Sequence, residues 1–433
     1  MNNGFQDTSQ LIFEPLFYHD FGSPGYFSTL TKIGDHTPKQ DSYPLREMPF
    51  VLSHLDRRWD SWLSVNDFFR RNRRVVNLLR INANFLDLDV YKVENLTNLK
   101  PEKSTSLLLE YCENKKIPLP SLILFSGRGL QSKWLLEKSI PKEALPRWNA
   151  LQRYLAKRFE AFGADQMALD ASRVLRIDQT VNTKSGEVVK ILYAHGDASN
   201  PIRYDFDMLA DKILPYTRAE IALLREARKG NEDKPNEAKV AQWKFSQESL
   251  HWARVLDLRA LCSLRGWEQG GNPDGQRYPF IFLGAISLSW ITPPTLEYPG
   301  RLYSELEALS RLFTPNWTMA KIRGHVPFIY RQWRGGSHRF RYTTQKALDW
   351  LQITPEEERS LKTLISEDEK RRRWKEAIKK IRRARGMIPR EEYEAQAKER
   401  RDKALEMKKN GNSYREIAMK LNCSVAEVYR LIG

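Results

Sequence analysis

Phe85-Leu86-Asp87-Leu88-Asp89-Val90-Tyr91 is an apolar run interrupted twice by carboxylates. In a strand, successive side chains alternate between faces, so Phe85, Asp87, Asp89 and Tyr91 share one face and Leu86, Leu88 and Val90 the other. One face packs and the other presents two acids. Asp is depleted in strands and costly to bury unpaired, so the pair calls for a compensating charge, most simply a divalent cation. An edge strand with one solvated face would give the same pattern, and both readings stand on these seven residues.

Around this stretch the chain runs to 433 residues, beyond the usual limit of one compact core, which predicts two or three domains. Its 71 Lys+Arg exceed 54 Asp+Glu by 17, so a polyanionic partner, nucleic acid or an acidic membrane, is expected. Cys112, Cys262 and Cys423 are odd in number and far apart, which excludes a disulfide framework and a Cys-x-x-Cys zinc site and points to a reducing compartment. No run approaches the length of a membrane span and the start lacks a charged-then-apolar leader, so a cytoplasmic, non-membrane protein is expected. The longest apolar candidate, Tyr278 to Trp290, reads as buried core.

In chain order, residues 1–50 read as an irregular or short-stranded extension, and Leu52 to Leu79 as a helical stretch with Trp59, Trp62, Phe68 and Phe69. Its arginines, Arg70, Arg71, Arg73, Arg74 and Arg80, either line a template groove or form a solvated face; Arg71 and Arg74 are the DNA-binding candidates. A helix is predicted from Ser104 to Asn114, then a strand Leu122–Phe125 running into Ser126-Gly-Arg-Gly-Leu-Gln131 and continuing as Lys133–Leu136. Two glycines between strands allow close backbone approach to a ligand, with Arg128 and Lys133 suited to phosphate oxygens; a plain hairpin turn is the alternative. No Gly-Lys-Ser/Thr of a Walker A loop occurs anywhere. A helix from Lys142 to Ala161 ends at Gly163, and Asp165 to Lys184 then interleaves acids, arginines, an amide and a lysine with apolar residues, as in a buried polar site or a salt-bridge network. Lys190–Tyr193 reads as a strand. The domain reading is completed by a core over 51–227, a Gly- and Pro-broken linker at 228–240, a helical accessory region at 241–350, a charged basic helical stretch at 351–400 and a terminal segment at 401–433.

Taken in this order, Asp87-x-Asp89, Ser126-Gly-Arg-Gly and Asp165 to Lys184 resemble the archaeo-eukaryotic primase superfamily, and within it the RepB-type replication primases of plasmids, phages and mobile elements. The likeness covers roughly Trp62 to Tyr193. It implies an α/β, RRM-like catalytic core, here followed by an all-α region, and metal-dependent nucleotidyl transfer on a single-stranded DNA template. By that resemblance Asp87, Asp89 and Asp165, with Asp170 as the other choice, hold two Mg²⁺ or Mn²⁺ ions. Ser126, Gly127, Arg128, Gly129, Gln131, Arg173, Arg176, Asn182 and Lys184 hold the nucleoside triphosphate. Many relatives have His where Gln131 stands, leaving only a neutral amide for any phosphate contact, and often Pro-Gly where Asp178-Gln179 stand. All-oxygen ligands suit such hard cations, and phosphoryl transfer needs in-line geometry and charge neutralisation more than covalent help.

None of the 7 His lies one residue from another, which removes a His-hydrophobe-His nickase. His338-Arg-Phe-Arg341 with Tyr393 has the spacing of a tyrosine recombinase but no upstream arginine box. A non-catalytic origin-binding initiator is the rival from another class. Lacking a Walker A loop, the chain would need a separate replicative helicase. At the end, Ser413 and Glu416 form a capping box, Ile417, Ala418 and Leu421 make one apolar face, and Asn422-Cys423 turns into a helix capped by Ser424. There Val425, Val428, Leu431 and Ile432 are expected inside and Ala426, Glu427, Tyr429 and Arg430 outside. This resembles the helix-turn-helix of resolvases and transposases, and implies duplex origin DNA as a further partner, met by Ser424, Tyr429 and Arg430.

Overall fold

Among the described residues thirteen strands follow one another with few helices between them in the first half of the chain: β1 (Tyr26–Lys32), β2 (Lys39–Pro44), β3 (Asp60–Ser64), β4 (Asp67–Phe68), β5 (Leu78–Leu88), β6 (Leu122–Phe125), β7 (Leu130–Pro141), β8 (Val174–Arg176), β9 (Val181–Asn182), β10 (Glu187–Val188), β11 (Lys190–Ala194), β12 (Gly196–Asp197) and β13 (Asn200–Pro201). This is a computed structural model; it describes residues 13–221, 236–269, 275–292, 300–335 and 340–433, without the side chains of 236–246. Most of the expected linker, and His338, lie outside the described residues. The chain divides into two compact units, one ending at Leu364 and the other running from Ile365 to Gly433.

The fold of the first unit is mixed α/β around an antiparallel sheet of nine strands in the order β11-β6-β7-β5-β4-β1-β3-β8, with β2 on the far edge of β1. The Asp-x-Asp strand lies inside that order, but only its start is flanked on both sides: β7 pairs along one side of β5, and β4 pairs on the other only at Leu78 and Arg80. Residues 26–44, read as an extension, supply the sheet's own strands β1 and β2. The expected helix over Leu52–Leu79 is wrong beyond α1 (Met48–Ser53), because β3 and β4 occupy it. Polar residues there are buried: Asp60, Ser61, Ser64, Asn66 and Asp67 are each at most 2% exposed, so spacing of apolar residues alone misreads the segment. Asn66 shows why burial is tolerated. It sits at the bend between β3 and β4, accepts from the Asn82 backbone N–H of β5 at 2.9 Å and donates to the Ala171 carbonyl before β8 at 2.9 Å. One amide thereby holds the two strands that leave the β3–β4 segment.

Helices cover the sheet. They are α2 (Pro101–Asn114) and α3 (Leu145–Arg158), close to the sequence expectation except that short 3₁₀ turns flank α3, and α4 (Phe206–Ile213), for which no helix is expected from the sequence. The Trp148 ring of α3 lies 5.9 Å from that of Phe85 on β5. The all-α region follows with α5 (Asn236–Leu264), α6 (Arg277–Ile291), α7 (Arg301–Ser310), α8 (Met319–Gly324), α9 (Pro327–Arg334), α10 (Thr344–Leu351) and α11 (Pro355–Glu358). As expected, α6 is core: Phe280, Ile281, Leu283 and Leu288 are fully buried, although Tyr278 is exposed. The second unit contains α12 (Glu367–Ala384), α13 (Arg390–Lys409), α14 (Tyr414–Lys420) and α15 (Val425–Ile432).

Two charges on α7 tie the all-α region to the sheet. Glu305, 1% exposed, accepts both the Val75 and the Val76 backbone N–H at 3.1 Å, just before β5. Arg301 pairs with Asp170 at 3.0 Å, just before β8. Burial favours the neutral carboxyl, yet the Arg301 guanidinium and the Ser172 hydroxyl hold Asp170 below the usual carboxylate range. Removing one partner of a buried ion pair leaves the other uncompensated, at a cost of about 3–5 kcal/mol. Arg301→Gln should lower unfolding free energy by that order in a urea titration, and a loss under about 1 kcal/mol would show that the pair is solvent-screened.

Candidate active site at the end of the central strand

Backbone groups of a buried strand must all find partners, and β5 has no strand beside it past Arg80 on the side away from β7. Its open edge is satisfied piecemeal. The Trp148 indole donates to the Ala83 carbonyl at 3.0 Å, and the Gln152 side chain bonds both the N–H and the carbonyl of Phe85, at 3.3 and 2.5 Å. Next, the Asp165 N–H donates to the Asp87 carbonyl at 2.9 Å, and the Asp89 N–H to the Gly163 carbonyl at 2.9 Å. The segment 163–165 is thus a short extra strand, paired at Leu88 and Ala164. Gly163 is left-handed (φ 73°), and a Cβ there would stand 2.8 Å from the Asp89 carbonyl oxygen. This pairing brings Asp165 beside Asp87 and Asp89. The strand ends at Leu88, so Asp89 begins a 3₁₀ turn over Val90–Lys92 and the expected alternation through Tyr91 does not hold.

The Ser126–Gly129 loop closes the β6–β7 hairpin against the same strand end. A Cβ on Gly129 would lie 2.4 Å from the Leu88 carbonyl oxygen, so only glycine lets the loop reach β5. Within the loop the Ser126 N–H donates to the Gly129 carbonyl at 2.9 Å and the Gly129 N–H to the Ser126 hydroxyl at 3.2 Å. Asn182 of β9 donates to the Ser126 carbonyl at 2.8 Å and accepts from the Lys184 N–H at 3.2 Å. Arg128 is exposed, with its guanidinium 4.2 Å from the Tyr91 ring centroid. Gln131 stands directly across from Asp87, 2% exposed, and its amide oxygen has no hydrogen-bond partner among the described residues.

Charge is concentrated here. Burial above all pushes the Asp87 carboxyl up to about 6, with Asp89 and Asp165 adding to the rise and Arg173 and Arg176 opposing it. Asp89 pairs with Lys92 at 2.6 Å and Asp165 with Arg173 at 3.6 Å. Arg176 of β8 pairs with buried Asp60 of β3 at 2.5 Å and lies 4.7 Å from the Trp62 ring centroid. Despite its burial Asp60 is held below the usual range by Thr183 and Arg176. Among the described residues no three His, Cys, Asp or Glu side chains stand close enough to form a metal cluster. Asp87, Asp89 and Asp165 are nevertheless carried on adjoining backbone, with Lys92 and Arg173 as counter-charges to Asp89 and Asp165.

Not every expected residue joins. Asp170 faces Arg301 on α7. Lys133, read as a phosphate contact, is fully buried and pairs with Glu14 at 2.6 Å, while the Glu14 backbone N–H donates to Asp178 at 3.0 Å. Arg71 is exposed near the Tyr26 ring, and Arg74 is half-buried. Sequence reasoning missed Glu14, Asp60, Asn66 and Gln152. The available signal was local: Gln152 sits among Trp148, Leu151 and Leu155 on the buried face of α3.

In the second unit Ser413 and Glu416 form the expected capping box, and Ser424 accepts from the Glu427 N–H at 3.2 Å. Ala404, Ile417, Ala418 and Val428 make a small core joining α13, α14 and α15. Tyr429 is exposed but stacks on Tyr414 at 4.2 Å, Arg430 is exposed, and Val425, expected inside, is 38% exposed.

No family model matches the chain. A replication protein of Clostridium perfringens is 29% identical over 305 residues, covering 70% of this chain and 68% of that protein. Among solved structures, the archaeo-eukaryotic primase domain of the cyanophage S-2L primase-polymerase overlaps 45% of this chain and 91% of its own, at 18% identity and a TM-score of 0.32. The catalytic domain of primase RepB', solved in complex with initiator DNA, overlaps 48% and 92% at 10% identity and a TM-score of 0.28.

Proposed function

We propose that the chain is a DNA-dependent primase or primase-polymerase that starts replication of a plasmid, phage or mobile element. The observation that carries this reading is the pairing of residues 163–165 with β5, which gathers Asp87, Asp89 and Asp165 beside the Ser126–Gly129 loop. Similarity to a replication protein supports it. Asp87, Asp89 and Asp165 would hold Mg²⁺ or Mn²⁺, which, when bound, activates the attacking hydroxyl and neutralises charge on the triphosphate. The chain's own groups do the rest. In the loop, the N–H groups of Ser126 and Gly129 are spent internally, leaving those of Gly127 and Arg128 for phosphate oxygens. Arg128 in the loop, Lys184 next to Asn182 and Arg173 against Asp165 would supply positive charge to the triphosphate, while Asn182 holds the loop and Arg176 is paired with Asp60. Template binding falls to exposed arginines such as Arg71, and unwinding to a separate helicase.

Asp87→Asn or Asp89→Asn should lower metal-dependent nucleotide incorporation on single-stranded DNA at least about 100-fold, while leaving DNA binding within about twofold, because phosphate contacts by Lys and Arg are separate from the chemistry. Near-normal synthesis by Asp89→Asn would refute the assignment, and leave a non-catalytic origin-binding initiator as the reading.

A raised carboxyl pKa is neutral below its value, so Asp87 favours the cation-free fold at low pH and costs stability as pH rises through about 6. A bound cation removes that cost. The melting temperature gained on adding Mn²⁺ should therefore grow between pH 5 and pH 7, and the growth should vanish in Asp87→Asn; a pH-independent gain in the unmodified protein would show that Asp87 is not a ligand.

The terminal pair α14 and α15 is proposed to bind duplex origin DNA through Ser424, Tyr429 and Arg430 as a helix-turn-helix. Deleting residues 411–433 should abolish sequence-selective duplex binding at fixed salt and spare primer synthesis on unstructured single strands. Equal selectivity with and without them would reduce the segment to a cap.

A further inference from the structure

β3 is buried along its whole length except at one residue, Trp62. Phe27 of β1, Leu63 of β3 and Leu175 of β8 turn to one face of the sheet and are at most 2% exposed. On the other face Leu30, Trp62 and Arg176 stand in register in a row across the same three strands, and each is only partly buried. The Arg176 guanidinium lies over the Trp62 ring, 4.7 Å from its centroid. A cation so placed keeps the indole in one orientation while part of it stays open. What lies beside the ring points to its ligand. Asp60 holds Arg176 and also accepts the Thr183 N–H at 3.2 Å and the Thr183 hydroxyl. Thr183 stands between Lys184 and Asn182, and Asn182 donates to the Ser126 carbonyl at 2.8 Å. One carboxylate therefore fixes the ring relative to the Ser126–Gly129 loop. Arg176 is also near enough to Asp87 to oppose the rise of its carboxyl, so the ring flanks the acids as well.

We infer that Trp62 is the stacking platform for the base of the nucleoside triphosphate whose phosphates lie on the Ser126–Gly129 loop. This deepens the primase reading and rests on it for the place of the triphosphate. In a nucleotide the base is tethered to its phosphates through one sugar, so a ring that receives the base must be held at a set position from the phosphate loop. Asp60 holds it there. A templated enzyme must also take all four bases. A stacking ring suits that need, because every base has a π-face, whereas a pocket of fixed hydrogen-bonding groups would choose among them. The rival occupant is a base of the template strand, which carries no tether to the loop. Lys32, in register with Asp60 on the same face, is the cation that a template phosphate would meet there.

The test measures binding alone, on the full chain with Mn²⁺ and without template. Equilibrium dialysis of labelled dATP should show affinity about tenfold weaker in Trp62→Ala and mostly restored in Trp62→Phe. Competition by tripolyphosphate, which has no base, should be unchanged in both variants, and so should the anisotropy-measured affinity of Trp62→Ala for labelled oligo-dT. Parental dATP affinity in Trp62→Ala would overturn the inference and leave the primase reading standing, since that reading falls instead on synthesis by Asp89→Asn. Equal losses of dATP and tripolyphosphate would overturn it too, and reduce the ring to a support for Arg176. Weaker oligo-dT binding in both Trp62→Ala and Lys32→Gln, with dATP binding unchanged, would overturn it in favour of a template base.

Discussion

The open edge of β5 is the constraint on which the rest of the first unit depends. A buried strand cannot leave its peptide groups unpaired, since each costs about 1–3 kcal/mol. No neighbouring strand is available past Arg80, so the Asn66 and Gln152 amides, the Trp148 indole and the segment 163–165 each take a share. The last of these partners brings a third carboxylate with it. The same hydrogen bonds that complete the sheet therefore create the cluster of negative charge, and catalysis, on the reading proposed, is a by-product of how the strand edge was closed.

That arrangement needs support from within its own face of the sheet and from the side. On that face, the Glu14–Lys133 pair and Asp178 bury charge against the sheet, and burial followed by Glu14 pushes the Asp178 carboxyl up to about 6. Buried pairs of this kind gain little net stability but are costly to break, so their effect is to specify one arrangement of the N-terminal residues. From the side, α7 reaches both diverging strands, Glu305 before β5 and Arg301 before β8. The all-α region is in this sense part of the scaffold of the site, since the segment from Asp165 to Arg176 is anchored to it midway at Asp170.

Much of this could be read in the sequence, and what could not has a physical reason. Asp87-x-Asp89 and Ser126-Gly-Arg-Gly were legible because carboxylates and paired glycines are out of place in core strands unless chemistry or close approach requires them; the contact of Gly129 with the Leu88 carbonyl is that requirement. The strands β3 and β4 were not legible. They bury Asp60, Asn66 and Asp67, and a pattern of apolar residues carries no trace of polar side chains that are inside because the backbone needs them. Lys133 failed for the same reason: two positions from Gln131 and on the same face, it looks like a phosphate ligand until Glu14, 119 positions away, is found against it.

The distribution of charge then separates two kinds of cation in a chain with an excess of 17 positive residues. Arg176, Arg301 and Lys133 each face an acid and are buried or nearly so; they are structural, and salt will affect them little. Arg71, Arg128, Lys184, Lys375 and Lys379 are exposed and face no acid among the described residues. Only the second group can exchange counterions for phosphates, so the affinity for DNA should depend steeply on salt while the fold does not. The excess charge is thus placed where it repels nothing in the core and remains available to a polyanion.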